Sequence, residues 1–125
     1  MKLDIDRPGG MNFVRAYAPG LIRIGAREIA GSVIVTANFL VEDWRPRHVS
    51  ELRAADLEPV LELRPEVLLL GSGARQVFPE PQLLAALYEG RIGFEIMDTG
   101  AACRTYNVLV AEGRKVAAAL IVERA

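Results

Sequence analysis

The chain is poor in the residues that build metal centres and covalent cross-links. Its 125 residues include one cysteine, Cys103, and one histidine, His48. A single cysteine excludes a disulfide within the chain, and one Cys with one His is too few for the clusters that hold zinc or iron. We therefore expect no metal site, and no motif in the chain indicates another cofactor.

An excess of positive charge is also absent, because 15 Lys and Arg are balanced by 16 Asp and Glu. This balance creates no overall field that attracts phosphate backbones, so we expect no nucleic-acid partner. Apolar runs such as residues 67–70 and 116–122 are far shorter than the roughly 20 residues that span a bilayer. The N-terminus lacks the pattern of a signal or transit peptide. The sequence thus predicts a cytoplasmic protein that is not inserted in a membrane.

What the chain does contain is apolar residues, at 51% against 25% charged residues. This composition supports a sizeable buried core, and the chain length lies within the range of about 100 to 150 residues that is common for one domain. We expect residues 1–125 to form a single domain, as a monomer or a small homo-oligomer.

The first third of the chain has the extended pattern of β-structure. Residues 13–18 and 21–24 are separated by Pro19-Gly20, a pair that suits the central positions of a type II turn, and they predict an N-terminal β-hairpin. Residues 32–40 are rich in β-branched side chains and almost continuously apolar. This pattern predicts one strand that is covered on both faces.

From residue 56 onward, helical and extended patterns alternate. A first helix is predicted after Asp56, which is expected to cap it. A second is expected from Pro81 to Gly90, where the glycine would adopt the left-handed conformation, and a third after residues 98–100. The strands of this half are predicted at residues 67–70, 92–97 and 116–122. The alternation predicts a layered α/β sheet.

The predicted third helix is amphipathic at 100° per residue. One side, which we expect to face the core, carries Ala102, Cys103, Tyr106, Leu109 and Val110. The opposite side carries Arg104, Asn107, Val108, Ala111 and Glu112. Val108, apolar on this otherwise polar side, and Trp44 are candidate contact residues for a partner.

The tripeptide Asp98-Thr99-Gly100 matches the active-site loop of aspartic proteases. Those enzymes need two carboxylates about 3 Å apart, so a chain with one such loop would have to dimerise. Here the tripeptide opens a helix, whereas the protease loop belongs to an all-β fold. We therefore favour a structural role, in which Asp98 or Thr99 accepts hydrogen bonds from free N–H groups at the helix start.

A second candidate site is the turn Gly71-Ser72-Gly73, which is followed by Arg75. A guanidinium at such a turn can bind a carboxylate or a phosphate. Asp98 would lie beside the turn if the strands that precede them are parallel neighbours. The turn lacks the endings of a P-loop and of a full GxGxxG motif, so a purely structural turn is the alternative. The candidate ligand-binding residues are Gly71, Ser72, Gly73, Arg75, Asp98, Thr99, Arg104 and Asn107.

Cys103 is a candidate nucleophile, because the helix N-terminus or Arg104 would stabilise its thiolate. Its position at the edge of the apolar helix side equally predicts a buried side chain that behaves as a small hydrophobic group. We favour this second interpretation.

The longer string MDTGAACRTYNVLVAEGR, residues 97–114, resembles a known family. It is similar to the uncharacterised Mth-type domain family, which includes the mitochondrial complex I assembly factor three and the adipogenesis-associated Mth domain-containing protein. The similarity covers residues 68–121, where Gly71-Ser72-Gly73 stands in place of the family's Gly-Thr-Gly. The resemblance implies an α/β fold, with a single three-layer domain around a mixed, mostly parallel sheet, usually without an assigned reaction.

The leading hypothesis is therefore a non-enzymatic interaction or assembly-factor-like domain, with protein partners linked to a membrane complex. The alternative is a small-molecule or anion-binding enzyme that uses the turn from Gly71 to Arg75 together with Asp98. A dimeric aspartic protease is the interpretation that fits the sequence least.

Overall fold

The computed structural model describes residues 2–3 and 10–124 of the chain. Within this part the strands form a six-stranded and a three-stranded sheet, connected by α-helices and short 3-10 segments. The strands are β1 (Lys2–Leu3), β2 (Val14–Ala18), β3 (Leu21–Ile24), β4 (Arg27–Ile29), β5 (Ser32–Thr36), β6 (Phe39–Trp44), β7 (Val67–Gly71), β8 (Gly93–Met97) and β9 (Val116–Leu120). The helices are α1 (Glu58–Leu63), α2 (Ala85–Glu89) and α3 (Thr99–Ala111).

The six-stranded sheet has the strand order β1-β6-β5-β9-β7-β8. Strands β9, β7 and β8 are mutually parallel, whereas the pairs β1–β6, β6–β5 and β5–β9 are antiparallel. The expectation of a mixed sheet is confirmed. Its description as mostly parallel needs correction, because antiparallel pairs outnumber parallel ones among the described strands.

The reason for this difference lies in residues 32–40. In place of one predicted strand, the structure has an antiparallel hairpin of β5 and β6. The Thr36 hydroxyl accepts hydrogen bonds from the backbone N–H groups of Asn38 at 3.3 Å and Phe39 at 3.0 Å. A side chain that binds the backbone in this way favours a tight turn. The chain therefore reverses direction and adds antiparallel pairings to the sheet.

The predicted N-terminal β-hairpin is confirmed. Strands β2 and β3 are antiparallel, and Gly20 in the turn between them has a φ of 82°, a value that favours glycine. The hairpin continues into β4, which the sequence pattern did not predict, and the three strands form a separate antiparallel sheet.

Two apolar cores lie on opposite faces of the six-stranded sheet and give the fold its three layers. Successive residues of a strand point to opposite faces, so Ala118 of β9 joins one core while Ala117 and Ala119 join the other. The first core is closed by α3 and the three-stranded sheet. The second is closed by α1, α2 and the segment that leads from β6 to α1.

Trp44 belongs to the second core, so its prediction as a contact residue is wrong. Its side chain is 5% exposed, and the indole N–H donates to the carbonyl oxygen of Asp56 at 2.9 Å. A partner for this N–H allows the whole ring to be buried. Val108, by contrast, is exposed on α3, as expected.

The helical segment begins before Asp56 and not after it as predicted, because Asp56 lies inside the 3-10 segment Ala54–Leu57 that precedes α1. Its carboxylate accepts a hydrogen bond from the backbone N–H of Arg53 at 2.8 Å and pairs with the Arg45 guanidinium at 2.7 Å. Burial raises the pKa of Asp56, but these contacts with Arg45 and Arg53 outweigh it and hold that pKa below its ordinary value. Asp56 therefore caps the helical segment as a whole rather than α1 itself.

The end of α2 also differs from the prediction. The left-handed residue is Arg91, with a φ of 58°, whereas Gly90 has a φ of −79°. The Gly90 N–H donates to the Ala86 carbonyl at 2.9 Å, so the helical conformation continues through the glycine. The Ile92 N–H then donates to the Leu87 carbonyl at 2.9 Å and closes the helix end one residue later.

Asn107 fastens α3 to the three-stranded sheet. Its amide oxygen accepts from the Val14 N–H at 2.9 Å, and its amide nitrogen donates to the Val14 carbonyl at 2.8 Å. Beside it, the fully buried Tyr106 donates its hydroxyl proton to the Asn12 carbonyl at 2.8 Å. Asn107, expected on the outward side of the helix, thus serves as a backbone partner for β2.

Replacing Asn107 with alanine should lower the free energy of unfolding by about 1 to 3 kcal/mol, because both backbone groups of Val14 lose their partner. Urea denaturation measures the change. Val108→Ala is the matched control on the same helix, and as an exposed substitution it should change stability by less than about 0.5 kcal/mol. An Asn107→Ala variant as stable as the wild type would contradict the assigned role.

Candidate functional site

The carboxyl ends of β8, β7 and β9 meet at one end of the sheet. The parallel register aligns Gly71 with Met97 on one side and with Leu120 on the other. The segments that follow these three strands therefore lie together. We call this region the strand-end junction; it consists of the glycine-rich turn after β7, the residues after β8 and the residues after β9. Open α/β sheets commonly bind ligands at such strand ends.

Thr99 is at the centre of the strand-end junction and is fully buried. Its hydroxyl accepts from the Gly73 N–H at 2.8 Å and donates to the Ile121 carbonyl at 2.7 Å. Its own backbone N–H donates to the Gly73 carbonyl at 2.8 Å. One threonine therefore binds the turn after β7 and the segment after β9 at the start of α3.

Two positions of the turn require glycine, Gly71 because of close approach and Gly73 because of its positive φ. A Cβ on Gly71 would lie 2.9 Å from Thr99 Oγ1 and 3.0 Å from Thr99 Cα, distances that leave no space for a side chain. Gly73 has a φ of 101°, and a Cβ there would lie 2.5 Å from the Glu123 carboxyl carbon. The glycines let α3 and the segment after β9 pack directly against the turn.

Ser72 is 2% exposed and completes the turn. Its hydroxyl donates to the Arg75 carbonyl at 2.6 Å and accepts from the Val77 N–H at 3.0 Å. The Arg75 side chain is exposed. The Ser72 hydroxyl also lies 3.2 Å from the Met97 carbonyl oxygen, so Ser72 binds the backbone of its own turn and the end of β8. Arg75 extends away from the buried part of the junction.

Glu123, which the sequence analysis missed, supplies the junction with a carboxylate. Its Oε1 accepts from the Ala74 N–H at 2.8 Å, and its Oε2 lies 3.5 Å from Nε2 of His48. The position beside the turn amides, where an external anion would bind, is thus taken by a side chain of the protein. The strand order could have predicted this position, because Glu123 follows β9, the parallel neighbour of β7.

The whole segment after β9 is bound by its backbone. Ile121 N–H donates to the Gly71 carbonyl at 3.0 Å, and Val122 N–H donates to the Ser32 hydroxyl at 2.9 Å. The Val122 carbonyl accepts from Arg47 Nε at 2.8 Å. The Glu123 carbonyl accepts from the backbone N–H in the hairpin turn between β2 and β3 at 2.7 Å. Residues 121–123 therefore connect both sheets.

Asp98, and not Thr99, is the residue that caps the start of α3. The sequence analysis had left both open. Its Oδ1 accepts from the Ala101 N–H at 2.8 Å, and its backbone is extended before the helix begins. The carboxylate is also on the favourable side of the helix dipole. The protease-like tripeptide is therefore a strand-to-helix connection within an α/β fold.

Cys103 is 6% exposed and packs in the first core beside Tyr106. Burial raises the pKa of the Cys103 thiol to about 12, and the charge of Arg104 only partly opposes it. The thiol is therefore protonated at neutral pH, and the geometry argues against a role as nucleophile.

Arg104 and Asn107 do not lie at the glycine-rich turn. They line a groove between β2 and α3, which we call the β2–α3 groove. This groove has a volume of about 210 Å³ and is lined by Val14, Arg15, Ala16, Tyr17, Gly100, Cys103, Arg104 and Asn107. The buried Tyr17 hydroxyl lies near Thr99 without hydrogen-bond geometry to any described residue. Burial, and after it the charge of Glu123, raises the pKa of Tyr17. The candidate residues thus divide between a packed junction and an open groove.

A larger concave surface lies beside β8, and we call it the β8 groove. It has a volume of about 620 Å³ and is lined by Gln76, Phe78, Pro79, Pro81, Leu84, Tyr88, Phe94, Glu95 and Ile96. Phe78 is 67% exposed and Tyr88 is 70% exposed. The sequence analysis missed this surface, because Tyr88 has the same helical spacing as the buried Leu84 and Leu87.

The fold and the junction define a three-layer α/β domain in which a Gly-Ser-Gly turn packs against an Asp-Thr-Gly helix start. The chain belongs to the family described as a protein of unknown function (DUF498/DUF598), whose model matches residues 14–121. A solution structure of a Bordetella pertussis protein, described as a Mth938-like domain, has a TM-score of 0.82 at 30% identity and covers 99% of this chain and 94% of that one. The resemblance inferred from residues 97–114 is thereby confirmed.

Two relatives carry more informative names. The Francisella tularensis protein "13 kDa major membrane protein" is 26% identical over 110 residues, which cover 87% of this chain and 89% of that protein. The Danio rerio protein "NADH dehydrogenase (ubiquinone) 1 alpha subcomplex assembly factor 3" is 33% identical over 110 residues, which cover 86% of this chain. The match spans 63% of the assembly factor, so this chain corresponds to less than two thirds of it.

No helix in the described ranges is long and apolar enough to cross a membrane. Within residues 2–3 and 10–124 there is also no group of three or more His, Cys, Asp or Glu side chains placed to hold a metal ion.

Thr99→Val should lower the free energy of unfolding by about 1 to 3 kcal/mol for each of the two buried groups that lose a partner, the Gly73 N–H and the Ile121 carbonyl. The replacement keeps the branched shape, so the loss reports the hydroxyl alone. Thr105→Val is the control, because that hydroxyl on the same helix forms no hydrogen bond with the described part of the chain. Equal denaturation midpoints for both variants would show that the Thr99 hydroxyl does not hold the junction.

Proposed function

We propose that this chain is a non-enzymatic interaction domain that binds a protein partner during the assembly of a membrane-associated complex. The observation that carries the proposal is the exposure of two aromatic side chains in the β8 groove, Phe78 at 67% and Tyr88 at 70%. Soluble domains rarely expose neighbouring large apolar side chains unless the surface binds something. Aromatic side chains of this kind are also the commonest anchors of protein interfaces.

The names of the family relatives support the same function. One relative is an assembly factor of NADH dehydrogenase, and another is a major membrane protein. The strand-end junction also favours an interaction domain over an enzyme that binds its ligand at the glycine-rich turn. Two amides of this turn already bind Thr99 and Glu123 within the protein. A cytoplasmic location, a single domain and a monomer or small homo-oligomer are parts of the same proposal.

The test is a double substitution, Phe78→Ala with Tyr88→Ala, in cells of the native source. After cross-linking in the cell, wild-type protein should migrate in a reproducible assembly of defined mass, and the variant should lose about tenfold or more of that fraction. Leu21→Ala, which removes an exposed apolar side chain of the separate three-stranded sheet, should retain it. Wild-type protein that migrates alone, or a variant that assembles as well as the wild type, would contradict the proposal.

A second candidate function is the binding of a small anion in the β2–α3 groove. Arg15 and Arg104 both line this groove, and neither forms an ion pair with a described residue. Two unpaired guanidinium groups facing one groove can bind a carboxylate or a phosphate from two sides. Arg104 is one of the predicted ligand-binding residues, and this candidate function retains it. It also retains the anion binding of the alternative hypothesis.

Inorganic phosphate is the probe for this candidate. In an NMR titration of the labelled chain, phosphate should shift the backbone signals of residues 14–17 and 100–107, and Arg15→Gln or Arg104→Gln should weaken binding about tenfold. Arg75→Gln is the control, because that arginine is exposed at the glycine-rich turn instead. If Arg75→Gln is the variant that abolishes the shifts, the anion binds at the turn and not in the groove.

A further inference from the structure

We infer that the partner binds by adding an extended segment to the open edge of β8, with a lysine or arginine of that segment placed against Glu95. The inference rests on the proposed function and specifies how the β8 groove is used. It follows from the backbone of β8, from the side chains that surround it and from the charge of the groove.

Strand β8 is the last strand of the six-stranded sheet and pairs, within the described part, with β7 alone. The Gly93 N–H donates to the Glu66 carbonyl, and the Met97 carbonyl accepts from the Ser72 N–H, so the backbone groups of residues 93 and 97 point towards β7. Because these groups alternate along a strand, those of Phe94 and Ile96 point to the open edge. This edge offers hydrogen-bonding groups for one further strand.

Gln76 shows that the open edge accepts a donor. Its side-chain amide donates to the Ile96 carbonyl at 2.9 Å, although the residue is exposed. A backbone N–H of an incoming strand can replace this single side-chain bond, since Gln76 lies on an exposed loop and is able to turn away. The edge is therefore occupied by one exposed side chain and not by a paired strand.

The side chains around the edge suit an extended segment with apolar residues at alternate positions. Tyr88 packs edge-on against Phe94 with ring centroids 5.1 Å apart, and Phe78 is exposed nearby in the same groove. Pro79 and Pro81 line the groove without an N–H of their own, so these two residues cannot donate to the strand edge. An added strand places every second side chain towards such a surface.

The negative charge of Glu95 favours a basic side chain on the incoming segment. Glu95 is the one charged residue in the groove lining, and it forms no ion pair with a described residue. Its side chain points to the opposite face of β8 from those of Phe94 and Ile96, so a basic residue that meets it alternates with the apolar residues of the incoming strand. A basic side chain on the incoming strand would neutralise it across the pair. A second copy of this chain is a poorer occupant, because the antiparallel register that joins Phe94 to Ile96 would place two Glu95 carboxylates opposite each other.

A phage-displayed library of random nonapeptides, selected on the full chain, provides the test. The selected peptides should alternate apolar residues with at least one lysine or arginine, and binding should slow amide hydrogen exchange at Phe94 and Ile96. N-methylation of the backbone nitrogens that face β8 should weaken binding about tenfold or more, while methylation of the intervening nitrogens should not. Glu95→Lys should shift the preference from basic to acidic peptides, and Leu21→Ala, at an exposed residue of the separate three-stranded sheet, should bind as the wild type does.

Three results would overturn strand addition: no selected peptide, peptides that bind as helices, or binding unaffected by N-methylation at either set of positions. Self-association that blocks the edge, seen as a concentration-dependent mass, would replace the partner segment with a second copy. These failures are distinct from failure of the proposed function. A chain that forms a cross-linked assembly dependent on Phe78 and Tyr88, but binds no extended peptide, is an interaction domain that uses another binding mode.

Discussion

The fold depends on one short segment, residues 121–123, which hydrogen-bonds to both sheets and to the start of α3. Its backbone and the Glu123 side chain bind the turns after β7 and β2, the start of α3, the loop after β6 and the start of β5. Four of these bonds satisfy the backbone groups of Ile121 and Val122, which are fully buried, where an unpaired donor or acceptor is costly. Gly71 leaves space for Thr99, which binds this segment, and Gly73 leaves space for the Glu123 carboxylate.

This constraint explains why the strand-end junction resembles a ligand site although two of its turn amides are bound within the protein. The same geometry that brings strand ends together in open α/β sheets brings Thr99 and Glu123 to the glycine-rich turn. The protein's own hydroxyl and carboxylate occupy the positions that a phosphate would take. The open grooves lie elsewhere, one against α3 and one beside β8.

Local patterns were sufficient for much of the fold, and they failed where the outcome depends on distant residues. Pro19-Gly20 predicts its turn and Asp98 predicts its helix cap, because both act on adjacent backbone. The break within residues 32–40 has no signal in apolar periodicity, since both sides of that stretch are apolar and a hydroxyl makes the turn. The junction role of Glu123 and the exposure of Phe78 and Tyr88 depend on which elements pack beside them. Single-sequence patterns do not contain that information.

The position of β9 has a kinetic consequence. It follows all other described strands in sequence, yet it lies in the middle of the six-stranded sheet, between β5 and β7. The antiparallel half and the parallel half have no strand pairing with each other except through it. Sheet formation therefore waits for contacts between residues far apart in sequence, such as Val33 with Leu120, and closing long loops slows folding. Dissociation of this one strand would separate the halves, so unfolding of the described sheet should be cooperative rather than gradual.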